Sequence, residues 1–288
     1  FYVVQSCGVP LRQLTDEDFS IARNSTIFFG YSFLYSRFYK RYTDTKAESG
    51  DFYENWYVSP ERSYDSIFES LLSNRLFVQI QPWDRDGAVG GNDAHHYYQF
   101  RLQDYMGSNE GVNRNSTYVY GSIEGNVKRY LDWNADVKFH LFGYRRQDLS
   151  VGGDVEFKVY VRGRPMTLKG SLRHEIRTPG YWTESYFSNH FVWSNSFSKE
   201  SETRFSVTFS APQIGLELGG YQSLLGDRIY YGADQLPAQY GGTVTVSGLY
   251  AQKDFRFGGL HLNHRVLYQY SSAEEVVPVP AISAYLSY

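Results

Sequence analysis

Between Asp154 and Arg177 the chain switches residue by residue between apolar and polar side chains. Val155, Phe157, Val159 and Val161 alternate with Glu156, Lys158, Tyr160 and Arg162. After Gly163, Arg164 and Pro165, Met166, Leu168, Leu172 and Ile176 alternate with Thr167, Lys169, Ser171, Arg173, Glu175 and Arg177. Successive side chains of a β-strand point to opposite faces, so this pattern predicts two strands, each with one apolar and one charged face. The Gly/Pro break joins them as an antiparallel hairpin. Whatever covers the apolar face must cover it along the whole strand. A second packed sheet or lipid can do that.

The same pattern recurs along the chain. Ile27, Phe29, Tyr31, Phe33 and Tyr35 share one face of a strand over 24–42; Leu72, Asn74, Leu76, Val78 and Ile80 mark the next. Further strands are predicted over 96–106, 117–131, 133–146, 204–211, 214–231, 240–251, 254–270 and from 282 onward. The even spacing of Phe187, Phe191, Trp193 and Phe197 predicts another over 186–197. Polar, Gly- and Pro-bearing stretches at 43–69, 84–93, 107–115, 178–185 and 271–280 predict loops. The first 23 residues hold an apolar start and a turn of helix over 11–18, ahead of a barrel domain over 24–288.

Strand length separates the two coverings. Strands of soluble domains average about five or six residues. Membrane-spanning strands need about nine to eleven, and the runs here reach ten or more. A soluble sandwich shows the same alternation, but consecutive hairpins suit an antiparallel up-and-down barrel. Tyr181, Trp182, Tyr230, Tyr231, Tyr240 and Phe255 fall near strand ends, where a membrane-interface girdle would sit. The fold class expected is therefore all-β: an up-and-down transmembrane β-barrel, or part of a larger one.

Composition fits. The chain carries 27 Tyr and 20 Phe among 288 residues, and Tyr suits a boundary that is apolar on one side and wet on the other. Mean hydropathy is −0.47, which a barrel tolerates because only alternate residues meet lipid. No apolar run approaches the ~20 residues of a membrane helix. A net charge of −3 gives no polyanion-binding signal, so no nucleic-acid partner is expected. Cys7 is the single cysteine, so no intrachain disulfide can form.

The charged faces are the functional candidates. Lys138, Glu156, Lys158, Lys169, Arg173, Glu175 and Glu217 would line a water-filled lumen, or else solvate strand ends. No metal, cofactor or catalytic site is expected. His95 and His96 are adjacent and point to opposite faces. Asp136, His140, Ser171 and His174 are an imaginable catalytic set, but Ser171 and His174 differ in parity.

Four segments carry a resemblance: D-R-I-Y-Y-G-A-D-Q-L-P-A-Q at 227–239, L-N-H-R-V-L-Y-Q-Y-S-S at 262–272, V-V-P-V-P-A-I-S-A-Y-L-S-Y at 276–288 and S-N-H-F-V-W-S-N-S-F at 188–197. N-R-L-F-V-Q-I-Q-P at 74–82 fits more loosely. Together these resemble the putative porin family of Bacteroidota outer membranes. The resemblance implies an outer-membrane barrel that continues beyond this chain, with outer-membrane lipid and other outer-membrane or periplasmic proteins as its partners. It implies a passive channel for small polar solutes. A non-conducting structural subunit of a secretion or assembly complex is the alternative, and an enzyme is not expected.

Overall fold

A computed structural model describes residues 2–10, 26–45, 53–81, 87–102 and 111–288. Thirteen strands among these residues form one antiparallel sheet. In sheet order they are β1 (Tyr2–Pro10), β2 (Thr26–Asp44), β3 (Ser63–Gln81), β4 (Gly87–Leu102), β5 (Val112–Val127), β6 (Leu131–Gly143), β7 (Leu149–Val161), β8 (Arg164–Arg177), β11 (Glu200–Ala211), β12 (Leu216–Gly226), β15 (Thr243–Phe257), β16 (Leu260–Ser271) and β17 (Ile282–Ser287). Each pairs with the next sheet-forming strand in the chain, so the sheet is an uninterrupted meander. Between β8 and β11 come a four-residue helix, α1 (Tyr181–Glu184), and a small hairpin of β9 (Ser185–Phe187) and β10 (Val192–Ser194). A second small hairpin, β13 (Ile229–Tyr231) with β14 (Pro237–Gln239), lies between β12 and β15.

The register keeps one apolar face continuous. Val137 faces Val151 across β6 and β7, Phe157 faces Leu168, Leu172 faces Phe205, and Phe209 faces Leu218. Leu249 then faces Tyr268, and Val266 faces Ala284. These side chains are not covered by protein. Val159 is 62 % exposed, Leu76 63 % and Leu249 66 %. A soluble monomer rarely leaves more than a few hundred Å² of contiguous apolar surface bare. This band crosses most of the sheet.

Turn chemistry fixes the hairpins. Arg162 and Gly163 both hold positive φ (51° and 77°) between β7 and β8, as a two-residue turn whose twist matches its strands requires. Residues 258–259 join β15 to β16, with Gly258 at φ 58°. On the polar face β12 and β15 meet ring against glycine. Gly219 faces Tyr250, and Tyr221 faces Gly248. A carbon added at either glycine would lie 2.4 Å from the opposing ring, so each tyrosine lies flat where only a glycine leaves room.

Several boundaries differ from the sequence reading. β3 begins at Ser63, inside the stretch expected as loop over 43–69. Its polar residues are long-range partners, which local composition does not reveal. β4 begins at Gly87, within the expected 84–93 loop, because its glycines pair across to β5. The turn expected between 251 and 254 lies at 258–259, since Lys253 and Asp254 stay in ladder. β12 ends at Gly226 instead of running on to Tyr231. The 186–197 strand is not formed; Tyr186 and Phe187 lie in β9 and Trp193 in β10, while Phe191 and Phe197 lie in neither. The helical turn expected over 11–18 and the side chains of Cys7, His95 and His96 lie outside the described residues.

Candidate functional site: the polar face and the segment across it

Opposite the apolar band, β6, β7 and β8 carry a ladder of charges. Lys158 bonds the Asp132 carboxylate and sits 3.9 Å from Glu156. Lys169 is 3.7 Å from Asp154, whose other oxygen accepts from Asn134 at 3.3 Å. Arg173 reaches Asp136 at 3.2 Å and lies over Gly152, where an added carbon would meet its guanidinium at 2.8 Å. Glu175 accepts from the Ser150 hydroxyl at 3.3 Å. Lys138 lies 4.4 Å from the centre of the Tyr118 ring. Six of the seven predicted residues thus fall on three adjacent strands and one face. Glu217 stands apart on β12, in the same cross-strand row as Lys158 through Thr167 and Ser210. The lysine and arginine side chains are partly solvated, so each pair contributes on the order of 0.2–1 kcal/mol. The alternation of sign matters more than the bond energies.

Sequence reasoning named the cations but missed most of their partners. Asp132 and Asp154 share strand parity with Lys158 and Lys169, and that parity was available as a signal. The imagined catalytic set does not assemble. Asp136 is held by Arg173, the His140 Nδ1 by the Ser116 hydroxyl at 2.8 Å, and the His174 Nδ1 by Thr203 at 2.8 Å.

The larger surprise is the chain between β8 and β11. Sheet order places β3 five strands away from β8. Yet the segment over 178–199 bonds directly to β3 and the residues before it. The Asn189 side chain, 1 % exposed, accepts from the Val58 and Ser59 N–H groups at 3.0 and 2.9 Å. It donates to the Ser59 carbonyl and the Ser63 hydroxyl at 2.8 and 2.9 Å. Its backbone N–H donates to Asp65 at 2.8 Å. His190 donates from Nδ1 to the Asn55 carbonyl at 2.9 Å, which leaves Nε2 to share a 2.6 Å bond with the Ser63 hydroxyl. Its ring stacks on Tyr53 with centroids 3.6 Å apart. The Trp182 indole donates to Glu69 at 3.3 Å.

Ser63, Asp65 and Glu69 alternate on β3, on the same side as Arg75. Cross-strand pairing carries that side from Arg75 through Ala94 and Tyr118 to His140 on β6, the side of Lys138 and Asp136. The segment therefore lies on the polar face. Trp182, expected at the lipid boundary, is turned away from the apolar band. Its neighbours Asn189 and His190 explain why: two buried polar groups in an aromatic run must find partners, and β3 and the residues before it supply them.

Other connections at this end of the sheet join the segment. Glu200 takes Arg177 at 3.3 Å, Arg228 at 3.2 Å and the Ile229 N–H at 3.0 Å. Asp148 takes Lys199 at 2.7 Å and both the N–H and the hydroxyl of Thr178. Gln239 bridges the Ser198 backbone. The 272–281 connection instead packs Ala273 and Val276 onto Leu225, Val244 and Val246 of β12 and β15. Burial pushes the Glu184 carboxyl upward, offset in part by the Phe197 N–H and Arg114, and burial likewise raises the Tyr186 phenol.

A family model described as Putative porin matches residues 2–287. The chain belongs to that family. Solved structures similar to this porin chain are the copper transporter OprC (TM-score 0.59, 14 % identity, 91 % of this chain and 46 % of that one) and the siderophore receptor PirA from Pseudomonas aeruginosa (0.56, 9 %, 88 % and 55 %). The RagAB peptide importer follows (0.50, 10 %, 86 % and 34 %). The porin chain thus spans about half the length, or less, of these structures. No curated protein matches it in sequence. At these identities the likeness concerns fold: an antiparallel outer-membrane β-barrel. The family and the fold together place the porin chain in the bacterial outer membrane.

Proposed function

We propose that this porin is a passive channel for small polar solutes. In this reading Lys138, Glu156, Lys158, Lys169, Arg173, Glu175 and Glu217 line the water-filled lumen, and the 178–199 segment narrows it. The observation that carries it is the segment's choice of partners. A flat sheet would separate β3 from β8 by about 24 Å, five spacings of about 4.8 Å. A segment that leaves β8 and, through Trp182 only five residues on, already reaches Glu69 of β3 fits a sheet that curls with its polar face inward. A lumen studded with both signs favours hydrated polar solutes over apolar ones.

The connections support an orientation. Those at 53–62, 178–199, 227–242 and 272–281 lie at one end, and the tight ones at 128–130, 162–163 and 258–259 at the other. Outer-membrane barrels carry long loops outside and short turns on the periplasmic side. The 178–199 segment then narrows the external mouth, and the apolar band meets outer-membrane lipid.

A second reading has one observation in its favour. The 178–199 and 272–281 connections both fold onto the polar face at one end and could fill the mouth. The protein would then be a non-conducting structural subunit working with other outer-membrane or periplasmic proteins. Planar bilayers separate the two. A channel gives stepwise current on insertion of purified protein, whereas a filled barrel stays silent.

A further inference from the structure

The segment over 178–199 leaves a cavity of about 510 Å³ between itself and the polar face of β2 and β3. Its walls are unusual for a pore. Trp182, Tyr186 and Trp193 come from one side and Tyr231 from the β13–β14 hairpin. Tyr186 and Trp193 stack at 4.6 Å and 26° between planes, and Tyr231 meets Trp193 edge-on at 6.3 Å. The Trp193 indole donates to the Trp182 carbonyl at 3.0 Å, which fixes its ring plane. The bond and the stack hold Trp193 and Tyr186 in place; each ring gives one face to the other and keeps its second face for a ligand.

Polar groups converge on the same space. Asp65 and Lys40 line it from the sheet and carry opposite charge. Gln235 lines it from the hairpin turn and holds φ 61°. That conformation costs a side-chain-bearing residue of order 1 kcal/mol or more and persists only where surroundings enforce it. Here the Gly232 N–H to Leu236 carbonyl bond and the Gln235 N–H to Gly232 carbonyl bond, each 3.0 Å, close the turn. Gln235 also lines a second, smaller cavity of about 200 Å³, which shares Tyr53, His190 and Phe191 with the first. Two adjoining hollows with common walls suit a ligand built of repeating units.

We propose that this cavity binds an uncharged oligosaccharide, with pyranose rings stacked on Trp193 and Tyr186 and hydroxyls bonded to Asp65 and Gln235. The chemistry selects the class. Sugar rings present apolar C–H faces to aromatic rings, and their hydroxyls pair with carboxylates and amides. In the larger hollow, where the rings would stack, Asp65 and Lys40 cancel, which favours a neutral solute over an ion; Glu54 and Asp234 line the smaller one and can accept from further hydroxyls. The volume lies in the range of small-molecule sites, about 300–1,000 Å³. The inference deepens the channel reading and rests on it, since it makes the constriction a selective step for sugars.

The test uses the full protein in planar bilayers, with maltotriose, cellotriose, xylotriose and triacetylchitotriose on the loop side. At least one trisaccharide is expected to lower the ion current saturably. Trp193→Ala and Gln235→Ala should each raise the half-blocking concentration about tenfold, roughly 1.4 kcal/mol of binding. Trp193→Phe, which keeps a ring, should hold it within about threefold and so exclude misfolding as the cause. An open current that no trisaccharide blocks overturns the sugar site while leaving the channel intact. Block by tryptophanamide alone also overturns it, in favour of an aromatic cation. Silence in the bilayer, combined with a saturable trisaccharide-induced change in tryptophan fluorescence in detergent, supports the sugar site and overturns the channel. Silence without that change overturns both.

Discussion

The backbone N–H of Asn189 donates to the Asp65 carboxylate at 2.8 Å across 124 residues of chain. The contact ties the connection after β8 to the start of β3, and the Asn189 side chain makes it a latch. Asn189→Ala would strip the Val58 and Ser59 N–H groups of their acceptor, while the Ser63 hydroxyl would keep His190. An unsatisfied buried group costs about 1–3 kcal/mol. The expected outcome is higher single-channel conductance, with faster proteolysis inside 178–199 and little change in the stability of the strands. Unchanged conductance alongside faster proteolysis would show that the segment does not narrow the pore.

Lipid and water faces predict opposite responses to the same substitution. Val159→Arg, in the apolar band, should destabilise the barrel by about 2–4 kcal/mol if the site lies near mid-membrane. Ser171→Arg, on the charged face, should cost far less. Denaturant unfolding of the barrel in lipid vesicles measures both. Cysteines placed at 157 and 159 should resist a water-soluble maleimide in intact membranes.

The charge ladder sets selectivity in the channel reading. Lys169→Glu combined with Arg173→Glu changes the local charge by about four units across two rows. Reversal potentials under a KCl gradient should shift toward cation preference. A twin change of the exposed Arg162 to Glu, at the tight turn, should move it much less.

Glu184 gives a pH dependence with a definite sign. Burial raises its carboxyl above the ordinary value of 4.5, so the folded segment binds that proton more readily than the unfolded chain. The contribution is fully present below the unfolded value and declines as pH rises through the folded one. Glu184→Gln should therefore protect 178–199 from protease at neutral pH and weaken the pH dependence. Equal protease rates for variant and parent at pH 5 and pH 8 would remove the assignment.

The sheet was legible because its rule is local. Val155 and Glu156 announce opposite faces on sight, and parity alone carried Lys138, Lys158, Lys169 and Arg173 onto one side. The crossing segment was not legible for the opposite reason. Phe187, Phe191 and Trp193 have the spacing of a strand, and nothing nearby contradicts it. What overrides that spacing is Asn189 and His190, whose partners Asn55, Ser59 and Ser63 lie more than a hundred residues upstream. Trp182 went astray with them: proximity to a strand end suggested a lipid boundary, and the Glu69 carboxylate drew it to the other side. The S-N-H triplet over 188–190, three polar groups inside an aromatic run, was the available warning.

The paired tyrosines of β12 and β15 have a consequence for assembly. Face alternation forbids a slip of one residue, since it would turn every side chain over. It says nothing against a slip of two, which keeps all faces correct and is the error a long meander invites. Here such a slip fails in both directions. One way it sets Tyr221 against Tyr250, two rings in a space that holds one. The other way it sets Gly219 against Gly248 and leaves a hole. Only the observed pairing gives each ring its hollow. The two glycines thus act as a ruler for the growing sheet, and they tie four positions into one inheritance: a larger residue at Gly219 could persist only if Tyr250 shrank with it.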